Sequence, residues 1–389
     1  MESGSAQSAK QNRGRIPGLD GLRAICALLV VFFHLGLVNS GWMGVEVFFV
    51  LSGFLITRIL IDSVEAAPDI RTYLGRFFWR RTIRIFPLYY AVVFIELTWK
   101  IARGHWPLTP ALARATYTYN WYRAFHRWEP THYANHFWSL ASEEQFYLVW
   151  PFAVYFLYRR GWLPKFSIAL IVAGVGMRIA GLWVLPPAVN AWIVYHAGIF
   201  QIGALATGAA LACGVISHLR RVSLWAAALG IAAVIAGAIS SGFTDSLGFG
   251  VMMRARHQWI WGYAAIDLVA AALILACVQH ENIIQALEWR PLRRLGQVSY
   301  GFYVFHPFVI GAVLILITRY SLPRVLLAPA GILLTWMAAE LSFTGFESRF
   351  LRMRDRYWSE KAAPATRAVA EATASETGYG VLEPLPESE

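Results

Sequence analysis

Acidic and basic side chains stand in this chain where long apolar runs should exclude them. The run LDGLRAICALLVVFFH carries Arg23 and His34. At ~100° per residue a helix puts the two on one face, with about 16 Å between them along the axis. The following apolar run, starting near Trp42, carries Glu46 close to its start. If the two runs are antiparallel neighbours, His34 and Glu46 reach a similar depth. A carboxylate beside an imidazole fixes its tautomer and stabilises its protonated form, the arrangement of a general base.

Three further groups carry chemistry. In RRTIRIFPLYY, the guanidiniums of Arg80, Arg81 and Arg84 precede an apolar run. Clustered guanidiniums suit a bidentate grip on phosphate, although the same cluster also serves as a topology signal for lipid headgroups. In HFWSLASEEQFYLVWP, Ser139, Glu143 and Tyr147 follow at i, i+4 and i+8 and form one helical stripe; Glu144 is expected to point elsewhere. In SYGFYVFHPFV, the residues Ser299, Tyr300, Tyr303 and His306 precede Pro307. A proline there kinks the helix, and His306 either caps carbonyls freed by the kink or acts directly. Arg178 stands in mid-run and needs an acidic partner that the sequence does not identify.

The elements that must position these groups are membrane helices. Hydrophobic residues make up 57% of the 389, and charged residues 15%, against about 45–50% and about 25% in soluble domains. Runs of about 17–25 apolar residues span a bilayer. Ten candidates occur, at 20–38, 42–61, 86–102, 137–158, 166–185, 195–215, 222–241, 259–279, 299–318 and 324–345. The fold class is therefore all-α: a polytopic membrane protein of about ten transmembrane helices. Small residues at 203–214 and 226–238 let helices approach closely, so these runs belong inside the bundle.

With the amino terminus in the cytoplasm, most of the 34 basic residues fall on the cytoplasmic side, which favours N-in and C-in. The net charge of +11 is spread in short clusters between apolar runs, a topology pattern and not a nucleic-acid groove. Residues 70–85 and 281–297, where aromatics alternate with arginine, read as interfacial helices. Residues 1–15 read as a cytosolic arm without a cleavable signal, and 351–389 as a largely disordered cytosolic tail. Cys26, Cys213 and Cys277 lie in apolar runs with no metal spacing and read as buried hydrophobes. No metal and no bound cofactor are expected.

Five ordered blocks together, GLDGLRAICALLVVFFH, GVEVFFVLSGFLITR, RRTIRIFPLYY, FWSLASEEQFYLVWP and LRRLGQVSYGFYVFHPF, resemble the acyltransferase-3 family of bacterial integral-membrane O-acyltransferases. The likeness spans residue 16 to about 350. It implies that His34 is catalytic, that Arg23, Arg80, Arg81 and Arg84 handle an acyl-CoA donor, and that Ser139, Glu143 and Tyr147 fill the family's Ser-x-x-x-Glu-x-x-x-Tyr pattern. It also implies hydroxyl acceptors on cell-surface or secreted carbohydrates, acetyl as the default acyl group, and residence in the bacterial plasma membrane. The second-run acid, often Asp in the family, is Glu46 here, and Ser142 replaces a common apolar residue. The expected likeness is to the stand-alone members, without the esterase-like domain that is fused to others.

The expected mechanism joins both lines. Acyl-CoA docks its phosphates on the arginines. His34, oriented by Glu46, deprotonates an acceptor hydroxyl that enters past the aromatic segment 103–136. Glu143 and Tyr147 position the acceptor or stabilise the oxyanion, and Ser299, Tyr303 and His306 support them. Direct transfer and an acyl-histidine relay both remain open. The rival reading is a glycan or small-molecule transporter with an intramembrane His/Glu relay; against it, the sequence shows no inverted repeat.

Overall fold

The computed structural model describes residues 16–126, 133–186, 190–215 and 258–354. The expected span at 222–241, the small-residue run at 226–238, the amino-terminal arm and most of the carboxy-terminal tail lie outside them. Among the described residues the regular elements are all helices. The long ones are α1 (Leu19–His34), α2 (Met43–Ala66), α3 (Ile70–Ala102), α6 (Phe137–Leu157), α7 (Leu163–Val184), α9 (Ile202–Ala212), α10 (Gln258–Gln279), α13 (Ser299–Arg319) and α14 (Leu327–Ser342). Short helices lie between them: α4 (Leu108–Ala115), α5 (Tyr119–Phe125), α8 (Asn190–His196), α11 (Glu281–Leu287) and α12 (Arg290–Gln297). Among the described residues, six helical stretches are long and apolar enough to cross a membrane. The chain is an all-α polytopic membrane protein.

Glycine sets how closely the central helices pack. A Cβ at Gly53 of α2 would strike the backbone of Leu205 in α9, and one at Gly208 of α9 would strike Val50 of α2. The two helices therefore cross backbone to backbone, held by dispersion contacts and not by bulky side chains. Gly174 of α7 meets Gly203 of α9 in the same way. The expectation that the small residues from 203 onward face inward is met, since Gly203–Leu211 is buried. Polar ties add register. Trp150 Nε1 donates to Thr57 Oγ1 at 2.8 Å, joining α6 to α2, and Tyr73 OH donates to the Pro151 carbonyl at 3.0 Å, joining α3 to α6.

Three expectations about the elements change. Residues 70–85 do not form a separate interfacial helix. Asp69 caps the Thr72 amide at 2.8 Å, and one helix then runs unbroken to Ala102. At 1.5 Å per residue it is about 50 Å long, well beyond a ~30 Å hydrocarbon core, so its arginine-bearing half has room outside the bilayer. The expected span at 195–215 is broken: α8 ends at His196, a single tight turn covers Gly198–Phe200, and α9 follows. Residues 281–297 form two short helices instead of one, and they pack beneath the start of α1. Gly21 lies against Leu287, Gly296 lies against Asp20, and Gly18 N donates to Glu288 Oε1 at 2.9 Å.

The aromatic segment after α3 is built into the bundle. Lys100 pairs with Glu96 at 2.8 Å, and Arg114 reaches the same carboxylate at 3.5 Å. Arg114 also donates to Tyr119 OH at 2.8 Å. These side chains are almost wholly buried. Charges in such a place are tolerated only when paired, and the pairing pins α4 and α5 against α3.

Candidate functional site

A cavity of about 140 Å³ opens between α1, α2, α3, α6 and α13. Arg23, Arg81 and Arg84 line it, together with Glu143, Glu144, Tyr147 and Ser52. Glu143 is held in a closed triangle. Ser52 Oγ donates to Glu143 Oε1 at 3.1 Å, and Tyr147 OH stands 3.0 Å from both Glu143 Oε2 and Ser52 Oγ. The i, i+4 spacing on α6 brings Glu143 and Tyr147 together, and α2 supplies the serine. The Arg81 guanidinium lies 5.3 Å over the Tyr147 ring, a cation–π contact that sets a positive charge beside the triangle.

The arginines divide. Arg81 and Arg84, one turn apart on α3, both face the cavity, and Arg23 joins them from α1, itself 3.2 Å from Asp20. Arg80 is exposed and is not part of the lining. Of the three α3 arginines expected to handle the donor, the cavity takes Arg81 and Arg84, because its edge follows the i, i+3 row of the helix. Glu144, expected to point elsewhere, lines the cavity beside Glu143, because the cavity wraps round α6 far enough to take in two adjacent positions.

The upper wall consists of Ser139, Ser299, Tyr300 and Tyr303. Ser139 Oγ and Tyr303 OH are 2.7 Å apart and lie 3.0 and 3.1 Å from the His136 carbonyl oxygen; each hydroxyl has one hydrogen, so one donates to that carbonyl and the other joins the pair. Tyr300 OH donates to the Ile85 carbonyl at 2.8 Å, two residues before Pro87 of α3. Behind the Ser139–Tyr303 pair stand three histidines. The His34 and His306 rings are 4.8 Å apart, His136 and His306 are 5.0 Å apart, and the Tyr303 ring lies 5.1 Å from His136 and 5.4 Å from His306. None of the three histidines lines the cavity. The histidine cluster thus stands outside the cavity, with the Ser139–Tyr303 pair between them.

Pro307 explains the state of His306. A proline amide has no hydrogen, so the carbonyl four residues earlier loses its helical partner. That carbonyl belongs to Tyr303, and His306 Nδ1 lies 2.6 Å from it. A carbonyl only accepts, so Nδ1 carries the hydrogen. In the neutral ring Nε2 is then a bare lone pair, and it is buried without a partner. The capping role expected for His306 is present, and it leaves an acceptor nitrogen on the ring packed against His34. Both ring nitrogens of His136 are likewise unpartnered and buried. Among the described residues, no group of three His, Cys, Asp or Glu side chains is arranged to hold a metal ion.

His34 is the last residue of α1, which Gly36 terminates in a left-handed turn. His34 is exposed. Among the described residues no carboxylate forms an ion pair or hydrogen bond with it. Glu46 is not beside it. The α1 and α2 helices meet at Gly44 against Cys26, and two residues further on Glu46 points to the opposite side of α2, among Arg178, Asp267 and Tyr263. Counting residues to a depth leaves rotation about the helix axis open.

Sequence reasoning missed Ser52, His136, Glu347 and Asp267. Glu347 is buried in a π-turn after α14, with Ser342 Oγ donating to it at 3.0 Å, and it acts electrostatically on Arg84. His136 could have been found as the residue one turn before Ser139. Asp267 stands alone in an apolar run, which marks it as the missing partner of Arg178.

Comparison with known proteins places this geometry in a family. A family model described as an acyltransferase domain matches residues 16–339. The chain is 31% identical over 322 residues to "Putative peptidoglycan O-acetyltransferase YrhL" of Bacillus subtilis, covering 76% of this chain and 49% of that protein. It is 29% identical over 371 residues to "Peptidoglycan O-acetyltransferase OatA" of Listeria monocytogenes, covering 88% and 57%. To "O-acetyltransferase OatA" of Staphylococcus aureus it is 29% identical over 353 residues, covering 86% and 57%. The chain thus spans about half the length of the curated relatives it matches. No solved structure matches it. With the family model running from the start of α1 through most of α14, and so across every wall of the cavity, the chain belongs to the acyltransferase-3 family.

Proposed function

We propose that the chain is a membrane O-acyltransferase that moves an acyl group, acetyl in the first instance, from acyl-CoA to a hydroxyl of a glycan, with peptidoglycan as the first candidate. The observation that carries this reading is the cavity itself: three guanidiniums and a fixed glutamate on one side of the Ser139–Tyr303 pair, with His34 and His306 on the other. Guanidiniums grip phosphate oxygens bidentately, which supports an anionic coenzyme as donor on the cytoplasmic face. The names of the relatives supply the acetyl group and the glycan.

In this reading His34 takes the proton of the acceptor hydroxyl. The alkoxide oxygen forms a bond to the thioester carbon, the carbon–sulfur bond breaks, and the coenzyme thiolate takes up a proton. His306 replaces Glu46 as the group that would orient His34: its Nε2 has no partner, the His34 ring centroid is 4.8 Å away, and a turn of that ring would bring an N–H to Nε2 and leave the other nitrogen as base. Tyr147, Tyr303 and Ser139 are hydroxyl donors near the carbonyl that becomes an oxyanion. Glu143 holds the two hydroxyls of its triangle in place.

The test uses purified protein in lipid nanodiscs with radiolabelled acetyl-CoA and a soluble glycan fragment. His34→Ala should lower transfer by about 10²–10⁴-fold, the usual worth of a general base, with donor binding intact. Arg81→Ala and Arg84→Ala should instead raise the KM for acetyl-CoA. Full transfer by His34→Ala sinks the reading, and so does a protein that moves glycan across the bilayer but never forms an ester.

A further inference from the structure

A second polar cluster lies on the far side of α2. Glu46 is 1% exposed, Arg178 of α7 is 1% exposed and Asp267 of α10 is 5% exposed. Arg178 and Asp267 meet at Gly203 of α9: a Cβ there would come 2.8 Å from Arg178 Nη2 and 3.7 Å from Asp267 Oδ2. Arg178 Nε donates to the Phe200 carbonyl at 3.2 Å, and the guanidinium lies 5.0 Å over the Tyr263 ring. The other titratable groups facing Glu46 are Tyr195 and Tyr263.

The cluster is short of partners. Both oxygens of Glu46, Arg178 Nη1, Asp267 Oδ1 and Gln201 Oε1 are buried without a hydrogen bond. Buried polar atoms in native proteins are almost always satisfied, and where the protein does not do it, internal water does. The charges also fail to balance. One guanidinium, which keeps its proton in any protein, faces two carboxyls. Two ionised carboxylates would leave a net negative charge sealed among helices, which is costly in a membrane interior. One proton on one carboxyl restores neutrality. Asp267 shares the Gly203 niche with Arg178 and is the ionised partner. Glu46, on α2, has both oxygens buried without a partner, so Glu46 takes the proton.

We infer that Glu46, Arg178 and Asp267 form a hydrated proton-binding site, separate from the cavity, in which Glu46 holds an exchangeable proton at neutral pH. The inference does not depend on the acyltransfer reading. It assigns the family-pattern acid of α2 to proton storage and away from His34.

Infrared spectroscopy of the full chain in nanodiscs at neutral pH tests it. The difference between wild type and Glu46→Gln should contain one protonated-carboxyl band that shifts in D₂O. The band should move when the protein carries ¹³C-glutamate and stay when it carries ¹³C-aspartate. It should also vanish in Asp267→Asn, because Glu46 then faces Arg178 alone and ionises. No such band in the difference, or a band that follows aspartate labelling, overturns the inference. If Glu46→Gln does not fold, the same exchangeable, glutamate-labelled band is sought in the Glu143→Gln/Glu144→Gln chain, where the two cavity glutamates cannot contribute. Its absence there is equally fatal.

Discussion

The two faces of α2 carry acids and arginines in opposite arrangements. On one face Ser52 closes a triangle with Glu143 and Tyr147, and the group opens onto a cavity beside Arg81. On the other, Glu46 is sealed with Arg178 and Asp267, and its oxygens find no protein partner. Composition does not separate a working site from a buried charge cluster. Access and satisfaction do. A carboxylate fixed by two hydroxyls is held in position before substrate arrives, whereas orphan atoms in a closed space belong to water and protons.

That contrast breaks hardest at Glu143. Glutamine in its place keeps the shape but turns one acceptor into a donor, so the triangle can no longer satisfy both Ser52 and Tyr147. We expect Glu143→Gln to lower acetyl transfer by about 100-fold, the scale of losing a preorganised electrostatic element. Tyr147→Phe removes one hydrogen bond to the carboxylate and should cost about tenfold, near the lower end for a bond to a charged group. Equal losses in the two variants, measured as kcat/KM with labelled acetyl-CoA, would mean that the carboxylate has no role beyond accepting the tyrosine hydrogen.

A subtler variant addresses the histidine cluster. Pro307→Ala restores an amide N–H that can bond the Tyr303 carbonyl, and so frees His306 Nδ1 from its present partner. The ring then samples both tautomers and no longer presents a fixed acceptor to His34. Transfer should fall a few-fold with the protein no less stable. Nitrogen NMR of labelled histidine should show one neutral tautomer in wild type and a mixture in the variant. A mixture already present in wild type would remove His306 as the orienting group.

Much of this architecture was legible because the bilayer imposes simple rules. Run length marked the long helices α1, α2, α3, α6, α7, α10, α13 and α14, and small residues marked the inward face of α9. The stripe of Ser139, Glu143 and Tyr147 survives as three neighbours around one cavity. What sequence could not supply was rotation and closure. Glu46 points away from His34, since depth follows from counting residues and facing direction does not. Arg80, Arg81 and Arg84 looked equivalent until the cavity edge chose two of them. The Ser139–Tyr303 pair joins helices 164 positions apart, and no local pattern announces such a contact.

The smallest effect lies where the reading of 70–85 as a separate element failed. Asp69 is fully exposed, yet the Thr72 backbone and hydroxyl, at 2.8 and 2.9 Å, hold its carboxyl below the usual carboxylate range. This cap fixes the first turn of the helix that carries Arg81 and Arg84. A carboxylate whose folded-state pKa is lowered contributes stability above its unfolded pKa and loses it as pH falls through the folded value. Asp69→Ala should therefore unfold at a slightly lower temperature than wild type at neutral pH, and the gap should close on acidification. Asp69→Asn, which can still accept from the Thr72 amide, should keep part of the stability at every pH. A gap between Ala and wild type that is unchanged in acid would show that the charge contributes nothing, and that only the geometry of the cap starts this helix.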